Sequence, residues 1–220
     1  VVTGSLVTTY PTVAAVACPG CYGMTSLRPG VYVEDGLPAT QRRTVSQALD
    51  EANRKVSAFY GERSISPRIL VCTTAHCYHR IGGGNERGVA VLNRALILSP
   101  LGANPVIASH ELSHVELHHR LRSGADPVPQ WFDEGLAVLV SDDPRYLLPA
   151  TATDRCRVEP GMALPVTVDE WLRAANADGQ LYARAACRVS RWADANGGDA
   201  VRTLIHRLNR GESFTAIVGS

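Results

Sequence analysis

The stretch that most constrains this chain is His110-Glu111-Leu112-Ser113-His114. On a helix, HExxH puts two imidazoles one turn apart on one face, with a carboxylate beside them to act as a base. The surrounding residues predict such a helix. Asn104 followed by Pro105 reads as an N-cap and a proline at the first helical position, where its missing N–H costs nothing. Val106, Ile107, His110, Leu112, His114, Val115, Leu117 and Leu121 recur at helical intervals, and Ser123-Gly124 supplies the stop. At a rise of roughly 1.5 Å per residue, His110 and His114 lie about 6 Å apart along the axis and can converge on one ion. Two ligands are too few, because a catalytic zinc takes three protein ligands and keeps a fourth position for water.

The third ligand does not come from the same helix. The extended motif with a third histidine six residues after the second, and glycine three residues after it, is excluded by Arg120 and Leu117. His118 lies about 12 Å along the axis from His110. With His119 it reads as a solvated helix end, where imidazolium suits the helix dipole. The better source is Pro129-Gln130-Trp131-Phe132-Asp133-Glu134-Gly135-Leu136-Ala137, the start of a second apolar helix.

HELSH followed by WFDEGLA resembles the gluzincin metallopeptidases, in which a glutamate on the next helix is the third zinc ligand. The Trp-x-x-Glu-Gly-x-Ala form is similar to that of aminopeptidase N type enzymes and small peptidases with a related catalytic domain. The resemblance covers about thirty residues, His110 to Val140. It implies one Zn2+ per chain held by His110, His114 and Glu134, with Glu111 as general base, in a zincin-like fold: a small mixed sheet packed on the motif helix. It also implies that the sheet edge beside that helix takes an extended peptide by strand addition. Two features of the family are absent. No GxMEN-like, amine-reading stretch occurs, so an exopeptidase mode is not implied, and Val138 stands where thermolysin-like relatives carry a second-shell aspartate. Asp133, Asp142 and Asp143 are the candidates for orienting the imidazoles.

At 220 residues, 45% of them hydrophobic, the chain is long enough for a substantial core and reads as one domain or one domain with an appendage; the resemblance implies a single metallopeptidase domain over residues 1–220. The formal net charge of +1, with no run of like charges, points to neither nucleic acid nor a charged membrane surface. No apolar run reaches the roughly 18 residues of a membrane span. Cys18, Cys21, Cys72, Cys77, Cys156 and Cys187 form an even set outside the metal motif, which favours disulfides and a secreted or periplasmic location. Local pairing predicts Cys18 with Cys21, Cys72 with Cys77, and Cys156 with Cys187. The absence of an initial methionine suits a mature or trimmed form.

In chain order, residues 1–30 read as a loop-like extended arm, and residues 31–122 as an α/β half. In that half, strands at Val31–Val33, Ile69–Cys72, Val89–Leu92 and Ala95–Ser99 accompany a long helix from Leu37 to Tyr60. Cys72 to Gly84 reads as a disulfide-closed loop in preference to a second metal site, because Cys72, His76, Cys77 and His79 match no common ligand spacing. Residues 123–220 form a mainly helical half. There Ser141 to Val166 is aperiodic, Thr167-Val168-Asp169-Glu170 is a capping-box signature, and two further helices end at Gly197 and Gly211. The fold class is therefore α+β. The expected function is zinc-dependent hydrolysis of a peptide or protein substrate, with a zinc-stabilised binding module or a hydrolase of non-peptide amides as alternatives. Tyr182, near the start of a C-terminal helix, is the choice for an oxyanion donor ahead of Tyr146, His79 and His206.

Overall fold

The computed structural model describes residues 11–161 and 163–219. Among them the chain is α+β, and it divides into two compact units, Val1–His119 and Arg120–Ser220.

The first unit holds a five-stranded mixed sheet made of β1 (Met24–Arg28), β2 (Val31–Glu34), β3 (Arg68–Val71), β4 (Gly88–Val91) and β5 (Ala95–Leu98), in the order β1-β2-β3-β5-β4. β1 pairs antiparallel with β2, β3 is parallel to both β2 and β5, and β4 returns antiparallel along β5. A parallel pair needs a crossover, and the helix Ala39–Tyr60 provides the one from β2 to β3. Its buried residues Val45, Ala48, Leu49, Ala52, Val56 and Tyr60 recur every three or four positions. Each large aliphatic side chain buried this way contributes about 1.5–3 kcal/mol. β5 is buried along its whole length, as expected of a strand covered on both faces. Terminal β4 turns into it through Leu92, Asn93 and Arg94, the first two in left-handed backbone at φ 51° and the turn closed by the Arg94 N–H donating to the Val91 carbonyl at 3.0 Å.

Two expectations are corrected here. Residues 1–10 of the expected arm lie outside the described residues. The rest is not a loose arm, since Pro11–Ala17 is a helix, Pro19–Tyr22 a 3-10 turn and Met24–Arg28 a strand. Proline suits the first turn of a helix, the Cys18–Cys21 disulfide closes the turn, and β1 is fixed by pairing with β2. The stretch from Cys72 to Gly84 is not all loop either. Ala75–Arg80 forms a short helix whose N-cap Thr74 accepts from the Cys77 N–H at 3.1 Å, with Cys72 and Cys77 bridged across its start.

The second unit is helical, with Gln130–Ser141, Val168–Ala177, Leu181–Asn196, Ala200–Leu208 and Phe214–Val218. The capping box at Thr167 and Glu170 forms as its sequence predicts. At Gly135 the helix Gln130–Ser141 meets Leu181–Asn196 so closely that a Cβ would lie 2.5 Å from the Ala185 carbonyl oxygen. Only glycine allows that approach. The aperiodic stretch before Thr167 is tied down by a disulfide and by arginine side chains. Cys156 is bridged to Cys187, Arg155 and Arg157 donate to the carbonyls of Leu148 and Leu147, and Arg191 holds Asp154 and Glu159. Its last carbonyls, on Pro165 and Val166, accept from the N–H groups of Trp131 and Gln130 at 3.2 and 2.8 Å. They satisfy donors that the first turn of a helix leaves unpaired. All three disulfides pair as the local reading predicts.

Candidate metal centre

The motif lies in the helix Pro105–Arg120. Asn104 caps it, its Oδ1 accepting from the N–H groups of Val106 and Ile107 at 3.0 and 3.1 Å. Ile107, Ala108, Leu112, Ser113, Val115, Glu116 and Leu117 are buried, whereas His110, Glu111, His114 and His118 form a half-buried stripe. Helical periodicity therefore turns the chemistry-bearing residues away from the packed face. That face is anchored by polar contacts as well. The Tyr60 hydroxyl lies 3.0 Å from Ser113 Oγ, and Glu116 accepts from Arg63 Nε at 2.9 Å and from the Ser64 N–H at 2.7 Å.

On the half-buried stripe the Nε2 atoms of His110 and His114 face each other at 3.2 Å, with the rings edge to face at 78°. Glu134 sits in the helix Gln130–Ser141, one turn after Gln130, whose Nε2 donates to Glu134 Oε1 at 3.0 Å. His110, His114 and Glu134 each offer one ligand atom, and these atoms lie within 4.8 Å of one another, so the group can hold a metal ion. The donor set fits. Bonds of about 2.0–2.1 Å at tetrahedral angles put two imidazole nitrogens about 3.3 Å apart. His118 and His119 are not members of this group.

The chain matches no protein-family model, no curated protein and no solved structure. The site's chemistry must therefore be read from its own residues.

Glu111 is approached by the start of β4, where an added Cβ at Gly88 would stand 2.8 Å from Glu111 Cγ. The loop entering β4 is held by Glu86. Its Oε1 accepts from the Gly84 N–H at 2.8 Å and from the hydroxyl of buried Tyr78 at 3.1 Å. Burial, then the Glu86 carboxylate, pushes the Tyr78 hydroxyl far above the usual phenol range, so it stays a donor. Burial works to raise Glu86, but hydrogen bonds from Gly84 and Tyr78 outweigh it and hold the carboxyl below its ordinary range.

Of the carboxylates considered for orienting the imidazoles, Asp142 pairs with Arg155 and Asp143 with Arg145, while Asp133 is buried in the first turn of its helix. Cys72 and Cys77 are consumed by their disulfide and cannot serve a second metal site. His79 Nδ1 lies 3.1 Å from the Gly83 carbonyl oxygen. Tyr182 stacks on Tyr146 with ring centroids 5.2 Å apart, and Trp171 Nε1 points at its hydroxyl oxygen from 3.5 Å.

Gln130 and Gly88 emerge only from the structure. Gln130 carried a usable signal, because a residue four positions before Glu134 on a helix shares its face. Gly88 carried none, since its neighbour Glu111 is remote in sequence.

Proposed function

We propose that the chain is a zinc-dependent peptidase of gluzincin type, acting in an oxidising compartment outside the cytosol. One observation carries the reading. A group of two histidines and one glutamate able to hold a metal lies on residues spaced as HExxH and WxxEG, and Glu111, the motif's acid, is not among its ligands. A purely structural metal site has no use for that acid. Zinc in such a site supplies Lewis acidity toward water and the scissile carbonyl.

The chain's own groups do the rest. Glu111 accepts a proton from the attacking water as its oxygen adds to the carbonyl carbon, then returns it to the leaving amine nitrogen as the C–N bond breaks. β4 is the terminal strand of the sheet and begins beside Glu111. Its outer backbone groups can pair with an extended peptide whatever the side chains of that peptide. Three disulfides support the compartment, and no helix among the described residues is long and apolar enough to cross a membrane.

The test is cleavage of an internally quenched random peptide pool. Stripping metal with a chelator is expected to abolish it, and added Zn2+ to restore it. Cleavage that survives metal removal, or no cleavage by zinc-loaded protein, overturns the reading.

Tyr182 is our choice for donating a hydrogen bond to the developing oxyanion. Its ring is clamped by Tyr146 and Trp171, and because the indole N–H points at the hydroxyl oxygen, the phenolic proton is directed elsewhere. Tyr182→Phe is expected to keep metal content and fold while lowering kcat about ten-fold or more. Unchanged kcat shifts the role to another donor.

A further inference from the structure

Gly88 is not a glycine for conformational reasons. Its backbone is outside the left-handed region, where an L side chain would be strained, and it opens an ordinary strand. Alanine is in general the better strand residue there, because glycine loses more freedom on folding. What forbids a side chain is space. A Cβ would stand 2.8 Å from Cγ and 3.2 Å from Cδ of Glu111, and 3.0 Å from Cδ2 of Leu98.

The strand cannot retreat to make room. The Arg87 carbonyl, one residue earlier, accepts from the Ser99 N–H at 2.9 Å, and Gly102 packs so tightly on it that a Cβ there would lie 1.8 Å from the Arg87 oxygen. Upstream, Glu86 ties Gly84 to the buried Tyr78 hydroxyl, and Gly83 lies against the Tyr78 ring. With the backbone held upstream by these bonds and from Gly88 onward by the pairing of β4 with β5, a methyl group at residue 88 crowds Leu98 and must displace the Glu111 side chain.

We propose that Gly88 is a positioning residue for Glu111: the locked entry of the edge strand sets where the base's carboxylate stands, and the missing side chain leaves it that place. The kinetic arm of this proposal rests on the peptidase reading, whereas its structural arm does not.

The experiment is a double-mutant cycle of Gly88→Ala and Glu111→Ala on the full chain, read by melting temperature and joined to metal content and peptide-pool kinetics for Gly88→Ala. In the parent chain Gly88→Ala is expected to lower Tm by about 3 °C or more, and in the Glu111→Ala background to leave it within about 1 °C or raise it. Gly88→Ala is also expected to retain one metal per chain, with kcat down about ten-fold and KM changed less than about three-fold, the split expected when the base moves and the binding strand does not. Equal Tm losses in both backgrounds overturn the proposal, as does an unchanged kcat on peptides the parent chain cleaves. If the parent chain cleaves nothing, the peptidase reading falls and the Tm cycle alone decides the positioning role. If Gly88→Ala fails to fold, folding restored by Glu111→Ala supports the proposal and failure in both backgrounds overturns it.

Discussion

Glu111→Gln is expected to leave one metal ion per chain and to lower peptide turnover by about 10²–10⁴-fold, the range lost when a positioned general base is removed. The substitution preserves volume and hydrogen-bonding capacity but cannot take a proton near neutral pH. Because Glu111 is not in the metal-holding group, the ion should remain. His110→Ala, His114→Ala and Glu134→Ala should behave oppositely, each losing the metal and turnover together, since two remaining ligands hold a zinc ion poorly. Metal analysis and single-turnover kinetics on the four variants separate these outcomes. Full metal in Glu134→Ala would remove it from the ligand set. Undiminished turnover in Glu111→Gln would mean that proton transfer is not its task. A closed structural site predicts a third pattern, with metal lost and stability collapsing in the ligand variants but no effect at all from Glu111→Gln.

What the sequence made legible follows from how local the cause is. The motif helix is local in every respect, with Asn104 as cap, Pro105 at the first position and apolar spacing that turns His110 and His114 to one side. Its extent could be read directly. The capping box at Thr167 and the three disulfides were legible for the same reason. Short helices were not. Ala75–Arg80 and Phe214–Val218 span under two turns, too few for periodicity, and are set by the side-chain caps Thr74 and Ser213 together with contacts from distant parts of the chain. Phe214, for instance, is placed by its N–H bond to Asp126 Oδ2 at 2.7 Å and by edge-to-face packing on Phe132 and Trp131. The stretch before Thr167 showed no pattern because its order comes from bonds that leave no apolar periodicity: Arg155 and Arg157 donate to carbonyls seven and ten residues back, Arg191 holds Asp154 and Glu159, and Cys156 is bridged to the distant Cys187. At the candidate metal centre the same rule separates His110, His114 and Glu134, which could hold an ion and were picked out by spacing within two motifs, from Gly88, fixed by a fold-dependent contact.

Glu116→Ala is expected to destabilise the protein by about 3–5 kcal/mol, the cost of removing one partner from a buried ion pair. Glu116 is fully buried two residues after His114, on the packed face of the motif helix, and faces Arg63, whose side chain is 14% exposed. Its two oxygens are used separately, one by Arg63 Nε at 2.9 Å and the other by the Ser64 N–H at 2.7 Å, while Arg63 also reaches Asn53 Oδ1 and the Ile65 carbonyl. The pair thus fastens the motif helix to the end of the helix Ala39–Tyr60 and the chain that follows it. Removing the carboxylate strands a guanidinium away from bulk water and leaves the Ser64 N–H without its acceptor, and each adds to the loss. At roughly 2–4 °C per kcal/mol for a chain of this size, Tm should fall by about ten degrees. Arg63→Met with Glu116→Leu should recover part of that fall, because an apolar pair of similar volume carries no desolvation cost, although the Ser64 N–H stays unpaired. Metal affinity should weaken in Glu116→Ala and return in the apolar pair, since what the ligands require is a fixed helix and not the charge itself. Thermal melts with zinc titrations on the three proteins check this, and a Glu116→Ala Tm within about 3 °C of the parent would show that the ion pair does not hold the motif helix in place.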